Sequence, residues 1–283
     1  MALLFLNRGL QTKEMSFIDH LEALRGHIVR SLLAIVVMSI IIFIYHNWVF
    51  DNIISGPINP DFITYKAFCR FSHWANLGNA LCMPPVNISM QSNTFGGQFM
   101  STITMAFTGG ILVAFPYIFW EFLRFVKPAL KEKELHSTKY VIWWVSFFFF
   151  CGAAFGYFLL APFTFNFLAG FQLGNKHLLE TRPTLTDYFD NLTNIILGCA
   201  LAFELPILAG ALTKLGLITP DFLRKKRKYA LVILLVISAI ITPSPDWMSQ
   251  LIVFIPLWLL YELSVVLSIR ITKAEKKKSE LLD

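Results

Sequence analysis

The chain has 283 residues, 56% hydrophobic and only 15% charged, with a mean hydropathy of +0.61 and a formal net charge of +6. A soluble domain carries nearer 25% charged residues, so the composition excludes an ordinary soluble enzyme or binding domain and indicates an integral membrane protein. The basic excess is spread over the connections between apolar segments, which reads as a topology signal and argues against nucleic acid as a partner.

Residues 1–14 form an N-terminal extension. Its MALLFLNRGL stretch is too short for the apolar core of a cleaved leader and lacks a small-residue cleavage site. Met15 is a second plausible start. Residues 15–27 are expected to make an amphipathic, surface-lying cytoplasmic helix. A membrane domain over 28–270 follows, with spans near 28–46, 99–123, 140–161, 190–213, 229–242 and 248–268, and then a basic tail over 271–283. A span needs about 20 residues to cross about 30 Å of hydrocarbon. The fifth has about 14, or about 21 Å at the helical rise.

The fifth segment is retained as a span because of the charges around it. With six crossings and the N-terminus inside, the inside holds all 24 Lys and Arg residues except Lys66, Arg70, Lys176 and Arg182, as the positive-inside rule requires. A fifth segment that did not cross would put Arg270, Lys273, Lys276, Lys277 and Lys278 outside. Both termini are therefore expected in the cytoplasm.

The first outside loop, 47–98, holds Pro57, Pro60, Pro84 and Pro85 among several aromatics, too apolar for a linker and expected to pack as a cap. It also holds Cys69 and Cys82. An oxidising compartment would permit them to pair, and the sequence leaves this open. The second outside loop, 162–189, is expected to begin at Pro162 and to end at Thr186-Asp187 as a helix N-cap. Thr219-Pro220 opens another helix, and TPSPDWMSQ makes a tight turn between spans five and six. No internal repeat is visible.

Glu204 stands alone in the uncharged stretch NLTNIILGCALAFELPILAGALT. A carboxylate at mid-membrane costs roughly 2.5–3.5 kcal/mol on insertion scales and marks a working site by default. Pro206 beside it frees a backbone carbonyl and kinks the helix, which suggests a polar hollow. Glu262 is a second intramembrane carboxylate, about 12 Å from the inner boundary at Arg270. Gln250 follows the TPSPD turn. One function compatible with two such carboxylates is an ion-coupled carrier with Glu204 and Glu262 as proton relays, although an inverted-repeat architecture would predict a repeat. There is no HExxH, GxSxG or nucleotide-binding glycine loop. No enzyme activity, cofactor or metal is therefore expected.

The segments HLEALR, PYIFWEFLRFVKPALKEKE, LAFELPILAG, LGLITPDFLRKKRKYALV, ITPSPDWMSQ and IPLWLLYEL, in this order and with this sidedness, resemble the twin-arginine translocase subunit TatC family from Met15 to Arg270. The resemblance implies six transmembrane helices in a concave bundle with a structured first periplasmic loop, in the bacterial inner membrane. It also implies a core receptor for the twin-arginine signal peptides of folded cargo. Its implied partners are single-span TatA/TatB-type subunits, further copies of itself and the lipid bilayer.

A guanidinium prefers a bidentate carboxylate. Glu134 falls at the family's loop carboxylate and Phe125 at its loop aromatic. Pro57 matches the proline that opens the first outside loop, and Glu204 matches the carboxylate of span four, expected with Pro206, Gln250 and Glu262 along a groove for a partner helix. The first motif departs from the pattern. Family members carry Glu two places before Arg25, where this chain has Ala23. Glu22 points about 100° away from that position, and Asp19 lies one turn before it. These two residues are the expected substitutes.

Overall fold

In a computed structural model the described residues are predominantly helical. The structure describes residues 17–74, 76, 78, 82, 90–126, 138–170, 182–242 and 247–280. Among them the sole β feature is an isolated bridge between Gln91 and Thr184. It ties the approach to the second long helix to the approach to the fourth span, so both start from the same end of the bundle. Among the described residues, five runs are long and apolar enough to cross a membrane: Glu22–Ile44, Gly97–Val126, Val141–Gly170, Leu185–Lys214 and Ser249–Ala274.

The first helix, α1 (Phe17–Ile44), is unbroken. The stretch expected to lead into the span is one helix with it. It contains no proline, and its inner turns are fastened to a neighbour, as described below. None of α1's apolar window is buried. It packs against α4 (Gly97–Val126). A Cβ on Gly110 of α4 would come within 2.9 Å of the Ser39 backbone nitrogen, so only glycine permits this approach.

Between these two helices the chain makes a short α2 (His46–Val49), a π turn over Phe50–Ile54, a 3-10 turn over Gly56–Ile58 and α3 (Ile63–Trp74). This segment is packed, and side-chain hydrogen bonds hold it. Pro57 is buried, and its carbonyl accepts from the Tyr65 hydroxyl at 2.8 Å. The same hydroxyl reaches the Pro162 carbonyl at 3.2 Å. Burial pushes the Tyr65 phenol up to about 12, so it remains a donor at any physiological pH. The hydroxyls of Tyr157 and Tyr188 donate to the carbonyls of Ile53 and Ile54. Cys69 and Cys82 are joined by a disulfide.

The third span runs further than its proline suggests. α5 (Thr138–Phe155) passes through a π turn, Gly156–Leu160, into α6 (Ala161–Gly170). Pro162 lies inside this helix and does not end it. A helical proline leaves the carbonyl four residues earlier without its donor. Here that carbonyl belongs to Phe158, and the Thr64 hydroxyl of α3 takes it.

The fourth span is broken into α7 (Leu185–Ala202) and α8 (Leu205–Lys214). The N-cap of α7 is Thr184, two residues before the expected position. Its Oγ1 accepts from the Asp187 amide at 3.1 Å and donates to the Asp187 carboxylate at 2.6 Å. Asp187 is thus the reciprocal partner three residues on, through its amide and its carboxylate. α9 (Pro220–Lys225) starts from Thr219 as expected, its hydroxyl accepting from the Phe222 amide at 3.3 Å.

The fifth apolar segment is α10 (Arg227–Ile241), whose 15 residues span about 22 Å. α11 (Trp247–Glu280) carries the last span and continues as helix through most of the expected tail. The core lies where α7, α10 and α11 meet, around Leu192, Ile195, Cys199, Leu234, Val253 and Leu257. α5 joins it by close approach to α7, where a Cβ on Gly152 would fall 2.5 Å from the Cys199 carbonyl oxygen.

Candidate functional site

The end of the bundle that holds the start of α1 and the foot of α4 is built on a buried carboxylate. His27 and Arg30 are three residues apart on α1 and face α4. Tyr117, Glu121, Arg124 and Phe125 fall in the last turns of α4. Glu121 is 1% exposed. Its Oε2 accepts from His27 Nδ1 at 2.5 Å, and Arg30 Nε lies 3.8 Å from the same oxygen. Its Oε1 accepts from the Tyr117 hydroxyl at 3.1 Å and from Arg124 Nη1 at 3.4 Å. Both carboxylate oxygens are thus satisfied, the condition on which a buried charge is tolerated. Phe125 sets its ring edge-on to His27, with centroids 6.1 Å apart, and the Arg124 guanidinium lies 4.8 Å above Trp120. Glu22 and Arg25 project from the adjoining turns of α1 and are exposed.

A second carboxylate sits at the break between α7 and α8. Glu204 is the N-cap residue of α8, but its side chain makes no capping bond. Pro206 falls in the first turn of α8, where the missing amide hydrogen costs nothing. Backbone bonds bridge the break: the amides of Phe203 and Glu204 reach Cys199 and Leu201, and the Glu204 carbonyl accepts from Ile207 and Leu208. Glu204 Oε1 is buried without a hydrogen-bond partner.

A sequence model of the Sec-independent protein translocase protein (TatC) family matches residues 19–256. The chain belongs to the TatC family. It is 36% identical over 266 residues to the Sec-independent protein translocase protein TatC of Blattabacterium sp. subsp. Periplaneta americana, covering 93% of this chain and 98% of the relative. The TatC of Desulforapulum autotrophicum is 31% identical over 260 residues, covering 90% and 85%. A crystal structure of the twin-arginine translocase receptor TatC in DDM superposes with a TM-score of 0.68 at 32% identity, covering 88% of this chain and 99% of that one. The fold is therefore that of TatC, and the protein is a multi-pass inner-membrane protein.

Within this TatC-type frame the expected site residues separate. Phe125 and Arg25 come to one end of the α1–α4 pair, together with Glu22, and Asp19 lies in the opening turns of α1. Glu134 lies outside the described residues. Gln250 ties two spans together, its Nε2 donating to the Leu235 carbonyl of α10 at 3.1 Å. Glu262 accepts from Arg227 Nη2 at 2.7 Å, so a cation at the start of α10 compensates it and it does not share the isolation of Glu204. Pro57 serves the loop, as described above.

Sequence reasoning passed over Glu121. Its signal was an acidic residue in the last turn of an apolar span, with Tyr117 four before it and Arg124 three after it.

Proposed function

We propose that this chain is the core receptor subunit of the twin-arginine protein export machinery. In this reading both termini are cytoplasmic, and the receptor face is the inner end of α1 and α4. Phe125, Glu22, Asp19 and Arg25, with Glu134 of the following loop, meet the paired arginines of a signal peptide. The cargo then crosses folded, through an assembly that this subunit nucleates with single-span TatA/TatB-type helices.

The observation that carries the reading is the satisfied Glu121 cluster, which sets His27 of α1, the helix that also carries Asp19 and Glu22, beside Phe125. An exposed carboxylate there can exchange water for a guanidinium with little desolvation cost. The orphan oxygen of Glu204 supports the companion role: a polar group on a partner helix seated at the α7–α8 break would give it the donor it lacks. The carrier reading loses its second relay, since Glu262 is held by Arg227.

Photocrosslinking from positions 125 and 134 to a peptide with paired arginines tests the receptor face, with a paired-lysine peptide as control. Preferential capture of the arginine peptide is expected, and equal capture of both overturns the assignment. Crosslinks from position 204 to partner helices test the groove, and crosslinks to lipid alone count against it. Ala23→Glu and Glu22→Ala decide whether the α1 turn touches the ligand at all. If neither changes peptide affinity, that turn is not part of the site.

A further inference from the structure

Away from the spans, one side-chain cluster lies outside the proposed receptor face. Cys69 and His73 stand four residues apart on α3 and share a face of that helix. Cys82 returns to the same face, its Cα 4.3 Å from that of Cys69. His73 Nε2 lies 3.9 Å from Cys82 Sγ, and the three ligand atoms all fall within 4.8 Å of one another. The scaffold beneath them is fixed, because Thr64 and Tyr65 of the same helix are bonded to the carbonyls of Phe158 and Pro162.

A disulfide requires two cysteines and no histidine. Two thiolates and an imidazole, by contrast, are a zinc donor set. With Zn–S near 2.3 Å and Zn–N near 2.0–2.1 Å, tetrahedral ligand atoms stand roughly 3.5–3.8 Å apart. The His73–Cys82 separation is already close to that value. The two sulfurs need only part by side-chain rotation, which the short reach between their backbones allows. Soft thiolates disfavour magnesium and calcium and select thiophilic ions.

We infer that the reduced form of this loop binds one Zn2+ through Cys69 Sγ, Cys82 Sγ and His73 Nε2, with water in the fourth position. Reduction requires an external dithiol. One of its thiolates attacks a sulfur of the Cys69–Cys82 bond, and its second thiol resolves the mixed disulfide. The reductant leaves as a disulfide, and the loop gains two electrons and two protons. Zinc then displaces the thiol protons. The loop thus has two mutually exclusive clamps, one covalent and one metallic. Each holds residue 82 to α3 and keeps the same 13-residue interval closed.

The test uses the full chain in detergent, reduced anaerobically with a phosphine and titrated with Co2+ as a spectroscopic stand-in. One cobalt per chain is expected, reported by a thiolate-to-metal charge-transfer band that Zn2+ abolishes. The oxidised protein should show no band, and neither should Cys82→Ser. His73→Ala retains both cysteines and can still close the disulfide, so its fold can be verified in the oxidised state. It should bind cobalt at least about tenfold more weakly, since even outer-shell partners are worth 10–100-fold. The absence of a band in the reduced wild type overturns the site. So does an unchanged affinity in His73→Ala, or a band that persists in Cys82→Ser and so reports the other thiols, Cys151 and Cys199. The assay reads metal alone and does not depend on the export role.

Discussion

Glu121 at the foot of α4 and Glu204 at the α7–α8 break are both carboxylates in apolar helix runs, but their surroundings are opposite. Glu121 is almost wholly buried and has four donors or cations around its two oxygens. Glu204 is only partly buried, yet one oxygen has no partner. The first arrangement completes itself within the chain and welds two helices. The second leaves one oxygen without a donor. Burial alone would rank Glu121 first as a working site; the count of satisfied oxygens ranks Glu204 first.

That contrast can be broken most forcefully at Glu121. Glu121→Ala strands His27, Arg30 and Arg124 around an empty site. The expected loss is about 3 kcal/mol, the low end for breaking a buried ion pair, because both arginines are about half exposed. Thermal unfolding in detergent measures it. Glu204→Leu should act in the opposite direction. Removing an unsatisfied buried oxygen is expected to stabilise the isolated protein by about 1–2 kcal/mol, while crosslinking to partner helices falls. A destabilised Glu204→Leu would mean that its oxygen already has a partner and would erase the contrast.

Two smaller changes sharpen it. Tyr65→Phe removes a neutral hydrogen bond from the loop and should cost about 1 kcal/mol, seen as faster amide exchange in α3. Arg227→Gln releases Glu262, whose ion pair is partly exposed. The expected cost is under about 1 kcal/mol and shrinks with added salt.

Hydropathy gave the rough limits of the five runs that are long and apolar enough to cross, all of them among the six expected spans, because lipid imposes one local rule on every crossing segment. Glu204 was legible for the same reason: it is conspicuous in an uncharged run. The break beside it was legible from Pro206. Pro162 misled because a proline marks a break only when nothing else satisfies the carbonyl it frees. Here Thr64, 94 residues upstream, does so. Glu121 was passed over because, beside the local Tyr117 and Arg124, its partners His27 and Arg30 are remote, and nothing local announces that they converge. The cap at Thr184 was missed by two residues because Asp187 was taken as part of the cap itself, whereas it is the reciprocal partner three positions on.

The uncovered state of α1 has a consequence for biogenesis. Its main neighbour is α4, and 94 residues separate His27 from Glu121. At a translation rate of about 5–20 residues per second, roughly 5–20 s pass between the synthesis of the two. During that interval the first helix must sit among lipids or insertion factors, with a histidine and an arginine awaiting their carboxylate partner. Its placement by the ribosome and insertase therefore precedes, and does not depend on, any contact with the rest of the bundle.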